Sequence, residues 1–179
     1  MALMSVPFKL PAPYPLPEAL KQNLRAQSLD RNVEAILPML IEEGMADLVL
    51  LEVLKGSELR VKALYGRDPE AYRPLSGSVE ALGELFAAKA LEAGSSLLLM
   101  GDLEGGEPGL RPAFVEGFLA GRPRADLGFA YVIPLIGDSG TRHGVLTLVR
   151  GDGPLNHDQP AIVQAFSLWL THRFDESAR

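Results

Sequence analysis

Eight side chains carry most of the recognition chemistry in this sequence. Tyr65, Tyr72, Arg73, Arg111, Arg122 and Arg124 fall in loops, with Phe114 and Tyr131 near them. A guanidinium fork donates two parallel hydrogen bonds to a carboxylate or phosphate, and an aromatic face stacks on a planar ring or attracts a cation. The set suits a planar or anionic ligand such as a nucleotide. It describes binding and no reaction, and each member also has an ordinary role as a solvated loop arginine or a core aromatic.

A search for reactive groups returns little. The chain has no cysteine, which removes disulfides, thiolate nucleophiles and cysteine-ligated metals. His143, His157 and His172 lack metal-ligand spacing. They read as residues of a turn, a helix start and a helix end, where a cation is favoured. Gly101, Gly105, Gly106 and Gly109 do not lead into a lysine-bearing helix, so no phosphate-cradling loop is formed. Neighbouring carboxylates such as Glu42 and Glu43 fall at helix ends, where solvent rather than acid–base work is expected. No cofactor, metal or catalytic constellation is indicated, and the expectation is a protein that is not an enzyme.

Composition sets the frame for these side chains. At 179 residues and 47% hydrophobic, the chain has the size of one domain and enough apolar content for a core. Its formal charge of −6 argues against nucleic acid or anionic lipid as partners. No apolar run reaches the eighteen or so residues of a membrane span, and Pro7 and Lys9 interrupt the start where a signal peptide would be apolar. A cytoplasmic protein is expected.

The elements follow from periodicity. Residues 1–17 hold Pro7, Pro11, Pro13, Pro15 and Pro17 and read as an extended, polyproline-like arm before a single domain over 18–179. Helical spacing begins at Glu18 and restarts after Asp30, the expected N-cap, with Pro38 as a kink and Gly44 as the terminator. Ala46–Leu54 reads as a central strand, with Leu48–Leu54 apolar on both faces apart from Glu52; Lys55–Glu58 turns it into Leu59–Tyr65. A loop over 66–78 precedes a helix expected over 79–93 and a short strand at Leu97–Met100. After a long glycine- and proline-rich loop comes a short helix over 113–120. Phe129–Ile136 and Gly144–Arg150 form a second hairpin, and a last helix, expected to be capped by Asn156, carries Ile162, Phe166, Trp169 and Leu170.

Two hairpins and flanking helices make an α+β domain: an antiparallel sheet of five or six strands, with terminal helices on one face and mid-chain helices and loops on the other. Three stretches of this sequence resemble GAF domains. They are Ser28-Leu29-Asp30 leading a helix into Gly44-Met45-Ala46-Asp47, the strand exit Gly101-Asp102-Leu103, and Tyr131-Val132-Ile133-Pro134-Leu135 followed by Gly144-Val145-Leu146 and Asn156-His157-Asp158. The resemblance runs from about Leu24 to Phe174 and implies a GAF-like (profilin-like) fold. It further implies a sensor or regulatory module whose ligand lies between the sheet, the mid-chain helices and the long loops. The lack of cysteine sets this chain apart from members that reduce methionine sulfoxide or attach a bilin. Any response would pass to a protein partner, or to a second copy in a homodimer formed through the Leu20, Leu24 and Trp169 helices. The alternative is a diverged scaffold or dimerisation protein of the same fold, its cavity filled by side chains such as Phe114 and Phe118.

Overall fold

The computed structural model describes residues 4–66, the backbone of 79–81, and residues 86–101, 128–151 and 153–178. In chain order these form β1 (Met4–Phe8), α1 (Glu18–Arg25), α2 (Leu29–Glu42), β2 (Leu48–Lys55), β3 (Glu58–Gly66), β4 (Val79–Ala81), α3 (Phe86–Ala93), β5 (Ser96–Gly101), β6 (Gly128–Ile136), β7 (Arg142–Arg150) and α4 (Gln159–Ser177). Each pair of neighbours in the single sheet is antiparallel, in the order β1-β5-β6-β7-β2-β3-β4. The two expected hairpins, β2–β3 and β6–β7, lie side by side through the β2–β7 pair.

Alternation along β2 divides the core. Val49, Leu51 and Val53 join a cluster with α1, α2 and α4, while Leu48, Leu50 and Leu54 join a second cluster with α3. The terminal helices thus cover one face and the mid-chain helix the other, as expected. On α4, Val163, Phe166, Leu170 and Phe174 recur at helical spacing and are buried. Ser167 and Thr171 lie on the same buried side and donate back to the carbonyls of Val163 and Ser167, both at 2.8 Å, so their hydroxyls cost little there.

Four details differ from the sequence reading. The arm contributes a strand: Met4–Phe8 pairs with β5 at the sheet's edge, where Pro7, opposite Leu97, is tolerated, and with β4 it brings the sheet to seven strands. Phe8 anchors that strand by meeting the Tyr131 ring edge-on at 5.3 Å. Val79–Ala81 is a strand paired with Arg60–Glu58 rather than the start of a helix, because sheet pairing overrides weak local propensity. Ser28, not Asp30, caps α2: its Oγ accepts from the Arg31 N–H at 3.3 Å, which leaves Asp30 to pair with Lys62 at 2.8 Å. Asp158, not Asn156, occupies the N-cap of α4, and the Gln159 side chain reaches back to accept from the Asn156 N–H at 3.2 Å.

The terminator expected at Gly44 is found, and α2 is not broken at Pro38. Gly44 has φ of 75°, and its N–H and that of Met45 donate to the carbonyls of Ile41 and Leu40 at 3.0 and 2.9 Å, closing α2 with a Schellman motif. Pro38 is accommodated within α2, which is continuous from Leu29 to Glu42; the bond it removes would end on the carbonyl of Glu34, an exposed residue that water can reach. Pro134 stands two residues beyond Val132, the last β6 residue paired with β5, so β6 is an edge strand there. The short helix expected over 113–120 lies outside the described residues.

Candidate functional site

Among the described residues, the buried side chains on the α3 face of the sheet are apolar except for two. Leu48, Leu50, Leu59, Val61, Leu99, Ala130, Val132, Val145 and Val149 are buried there, and α3 meets them with Ala87, Ala88, Ala90 and Leu91. Glu52, opposite Val145, and Thr147, opposite Leu50, share this face by alternation and are only 3% and 4% exposed. A carboxylate is rarely so deeply buried unless it is partnered, and Glu52 has a partner. The sequence marks Glu52 as a charge inside the apolar run Leu48–Leu54, yet not as a site residue. The signal that identifies it is its parity, which places it with Leu48 and Leu50.

Most of the expected ligand-binding residues, Tyr72, Arg73, Arg111, Phe114, Arg122 and Arg124, lie outside the described residues, as does Phe118. Their tether points are described. Gly66 ends β3, Gly101 ends β5 and Gly128 begins β6, all at the end of the sheet where Leu48 pairs with Gly66 and Val149, and Gly101 with Gly128. Both arginine-bearing segments therefore start from one end of the sheet.

Tyr65 and Tyr131 are described, and the structure does not bring them together. Register places them in one row across the sheet, Tyr131–Leu148–Val49–Tyr65, three strand spacings or about 14 Å apart. Both belong to the face covered by the terminal helices. Tyr131 is 2% exposed and its hydroxyl accepts from the Leu155 N–H at 2.8 Å, so it anchors the loop before α4. Burial pushes its pKa up, against the lowering effects of that bond and of Arg150. Tyr65 is half-buried beside Asp30, Glu34 and Lys62 around a cleft of about 480 Å³, and burial, with Glu34, raises its pKa.

The histidines also separate. His143 was expected in a turn and is instead 8% exposed within β7. A register shift between Leu135 and Ile136 leaves it unpaired opposite β6, and this bulge turns its ring toward α4. There Nε2 lies 2.6 Å from Asp175 Oδ1, and the ring stacks on Phe174 at 5.6 Å. His157 has φ of 50° in the turn before α4, and His172 is exposed beside Glu176 at 3.1 Å. No cluster of metal-ligating side chains occurs among the described residues.

On the terminal-helix face, polar bonds join the helices. The Asn32 amide donates to the Leu24 carbonyl at 2.8 Å and its oxygen accepts from Arg173 Nε at 3.0 Å; Arg173 also donates to the Gln27 carbonyl at 2.7 Å. Leu24 and Trp169, expected at a dimer interface, are buried in the chain's own core, and Arg25 lies over the Trp169 ring at 5.5 Å. Leu168 is the large apolar residue of α4 that faces solvent, 45% exposed. No described helix is long and apolar enough to cross a membrane.

No protein-family model and no curated protein matches this sequence. Solved structures do match. The GAF domain of a phosphoenolpyruvate-protein phosphotransferase from Coxiella burnetii is similar with a TM-score of 0.67 at 15% identity, over 89% of this chain and 90% of that one. A GAF domain/HD domain protein from Geobacter sulfurreducens gives 0.65 at 13% identity, over 85% and 95% of the two chains. The GAF domain of a two-component sensor histidine kinase from Bacillus halodurans gives 0.62 at 18%, over 84% and 96%. With the strand order, the two-sided helix cover and these likenesses together, the chain has the fold of the GAF domains.

Proposed function

We propose that this protein is a regulatory module that binds a small planar or anionic molecule on the α3 face of its sheet and catalyses no reaction. The observation that carries the proposal is the pair Glu52 and Thr147, two buried polar side chains among described residues whose other buried side chains on that face are apolar. A few placed polar groups in an apolar lining are the usual composition of a small-molecule site. Arg73, Arg111, Arg122 and Arg124 supply the forks, from segments that leave the sheet at one end, and Tyr72 and Phe114 supply stacking faces. Similar folds belong to a sensor histidine kinase and a phosphotransferase, which supports a signalling role. Occupancy would reach a protein partner or a second copy through α1 and α4, which Asn32 and Arg173 join.

The test is a thermal-shift screen of nucleotides, amino acids and other planar anions, paired with native mass spectrometry of the purified protein. A ligand present at about 100 times its Kd adds roughly 2.7 kcal/mol to the folded state, enough to raise Tm by several degrees. At least one class should do so, with the shift reduced in Glu52→Gln. Flat melting across the screen would favour a scaffold that keeps the fold without a ligand.

A further inference from the structure

A separate cleft lies on the opposite side of the sheet from that site, at the end where the β2–β3 hairpin, the β7 bulge and the last turn of α4 meet. It encloses about 340 Å³, within the range of small-molecule sites. Its apolar part is Leu29, Val53 and Phe174. Its cationic part is the hairpin: Lys55 follows Val53 on the same face of β2, Arg60 is paired opposite Val53 on β3, and Lys62 follows Arg60. Three cations lining one cleft repel one another unless an anion lies among them. In a chain of charge −6 such a cluster is against the general trend.

The counter-charges in place are loose. Arg60 pairs with Glu58 at 3.1 Å and Lys62 with Asp30 at 2.8 Å, both through exposed acids, and exposed pairs of that kind are weak. Lys55 has no ion-pair partner among the described residues. On the facing wall the β-bulge turns His143 into the cleft, with Nε2 occupied by Asp175. Bulges that re-aim a side chain recur next to functional sites. Ser177 and Ala178 bring the negative end of α4 to the same cleft, so an anion must sit on the hairpin side and an apolar body on the Phe174 side.

We propose that this cleft binds a small phosphate monoester, its phosphate held by Lys55, Arg60 and Lys62 and its apolar body against Val53 and Phe174. Phosphate suits the cluster better than carboxylate, since its three terminal oxygens can accept from three cations at once. The proposal is independent of the α3-face site, because the two lie on opposite faces of the sheet. A ligand here would touch α2, the hairpin and α4 together.

The experiment is a titration of the full chain with phenyl phosphate, followed by amide chemical shifts, with inorganic phosphate and benzoate as controls. Saturable shifts are expected at Lys55, Arg60, Lys62, His143 and Phe174, with phenyl phosphate binding more tightly than either control. Lys55→Glu should weaken binding by about tenfold or more, the loss of one charge-assisted bond, while Lys21→Glu on exposed α1 should not. Shifts that do not saturate, shifts confined to other residues, equal affinity for either control, or binding that Lys55→Glu leaves intact would each overturn the proposal. A thermal melt of Lys55→Glu keeps a folding defect from being mistaken for lost binding.

Discussion

Asn32 accepts a hydrogen bond from Arg173 across 141 residues of sequence, at 3.0 Å, while its amide donates to the last turn of α1. One fully buried side chain thus holds α1, α2 and α4 in fixed relation. Asn32→Ala removes the acceptor of Arg173 Nε and one of the donors to the Leu24 carbonyl, and an unmade buried bond costs about 1–3 kcal/mol. Urea denaturation should show a loss of roughly 2 kcal/mol or more, with faster amide exchange in α1. A change below about 0.5 kcal/mol would mean the bonds are exchanged with water without penalty.

Gly144 is required by contact and Gly140 by conformation. A Cβ at Gly144 would collide with the backbone carbonyl of Glu52 on the neighbouring strand, whereas at Gly140 it meets open space but a φ of 83°. Gly144→Ala should therefore cost about 2–3 kcal/mol, since the strand must move. Gly140→Ala should cost about 1–2 kcal/mol from backbone strain alone. Thermal melts that rank the two in the reverse order would show that β7 can shift away from β2.

The α2 cap separates two neighbouring residues. Ser28→Ala should lower stability by about 1 kcal/mol at neutral pH. Lys62 holds the Asp30 carboxyl below its ordinary range, so its contribution is present above the unfolded carboxylate pKa of about 4 and is lost as pH falls through the folded value. Being exposed, that pair is strongly screened. Asp30→Ala should thus cost less than Ser28→Ala at pH 7, and less still as pH falls below about 4, as read from melts across that range.

Tyr131 sets an alkaline limit. Its folded pKa lies above the unfolded value of about 10, so its contribution is whole below that pH and declines as pH rises through the folded pKa. Tyr131→Phe leaves the Leu155 N–H without its acceptor, which should cost about 1–2 kcal/mol at pH 7. The variant should also lose stability less steeply above pH 10. An unchanged alkaline slope would assign that limb to other groups.

The sheet was legible because β2, β6 and β7 are short apolar runs rich in Val, Leu and Ile, bounded by turn residues, and β3 alternates apolar with charged residues. The edges were less so. Pro7 disguised β1, whose pairing depends on β5, ninety residues away, and Val79–Ala81 is too short for local signals to separate strand from helix. Site residues fared differently by kind. Glu52 and His143 owe their positions to strand parity and to a bulge, and a one-residue register change cannot be read from composition. Tyr131 was assigned to the ligand face because its strand was known but its side was not.

Everything in the functional reading depends on what lies over Glu52 and Thr147. The direct measurement is a crystal structure of the purified protein without added ligand, followed by one soaked with the best compound from the thermal-shift screen. Density for a non-protein molecule against Glu52 and Thr147 on the α3 face is the result expected. If instead the chain's own side chains, Phe114 and Phe118 among them, fill that space in both crystals, the ligand-binding account is contradicted.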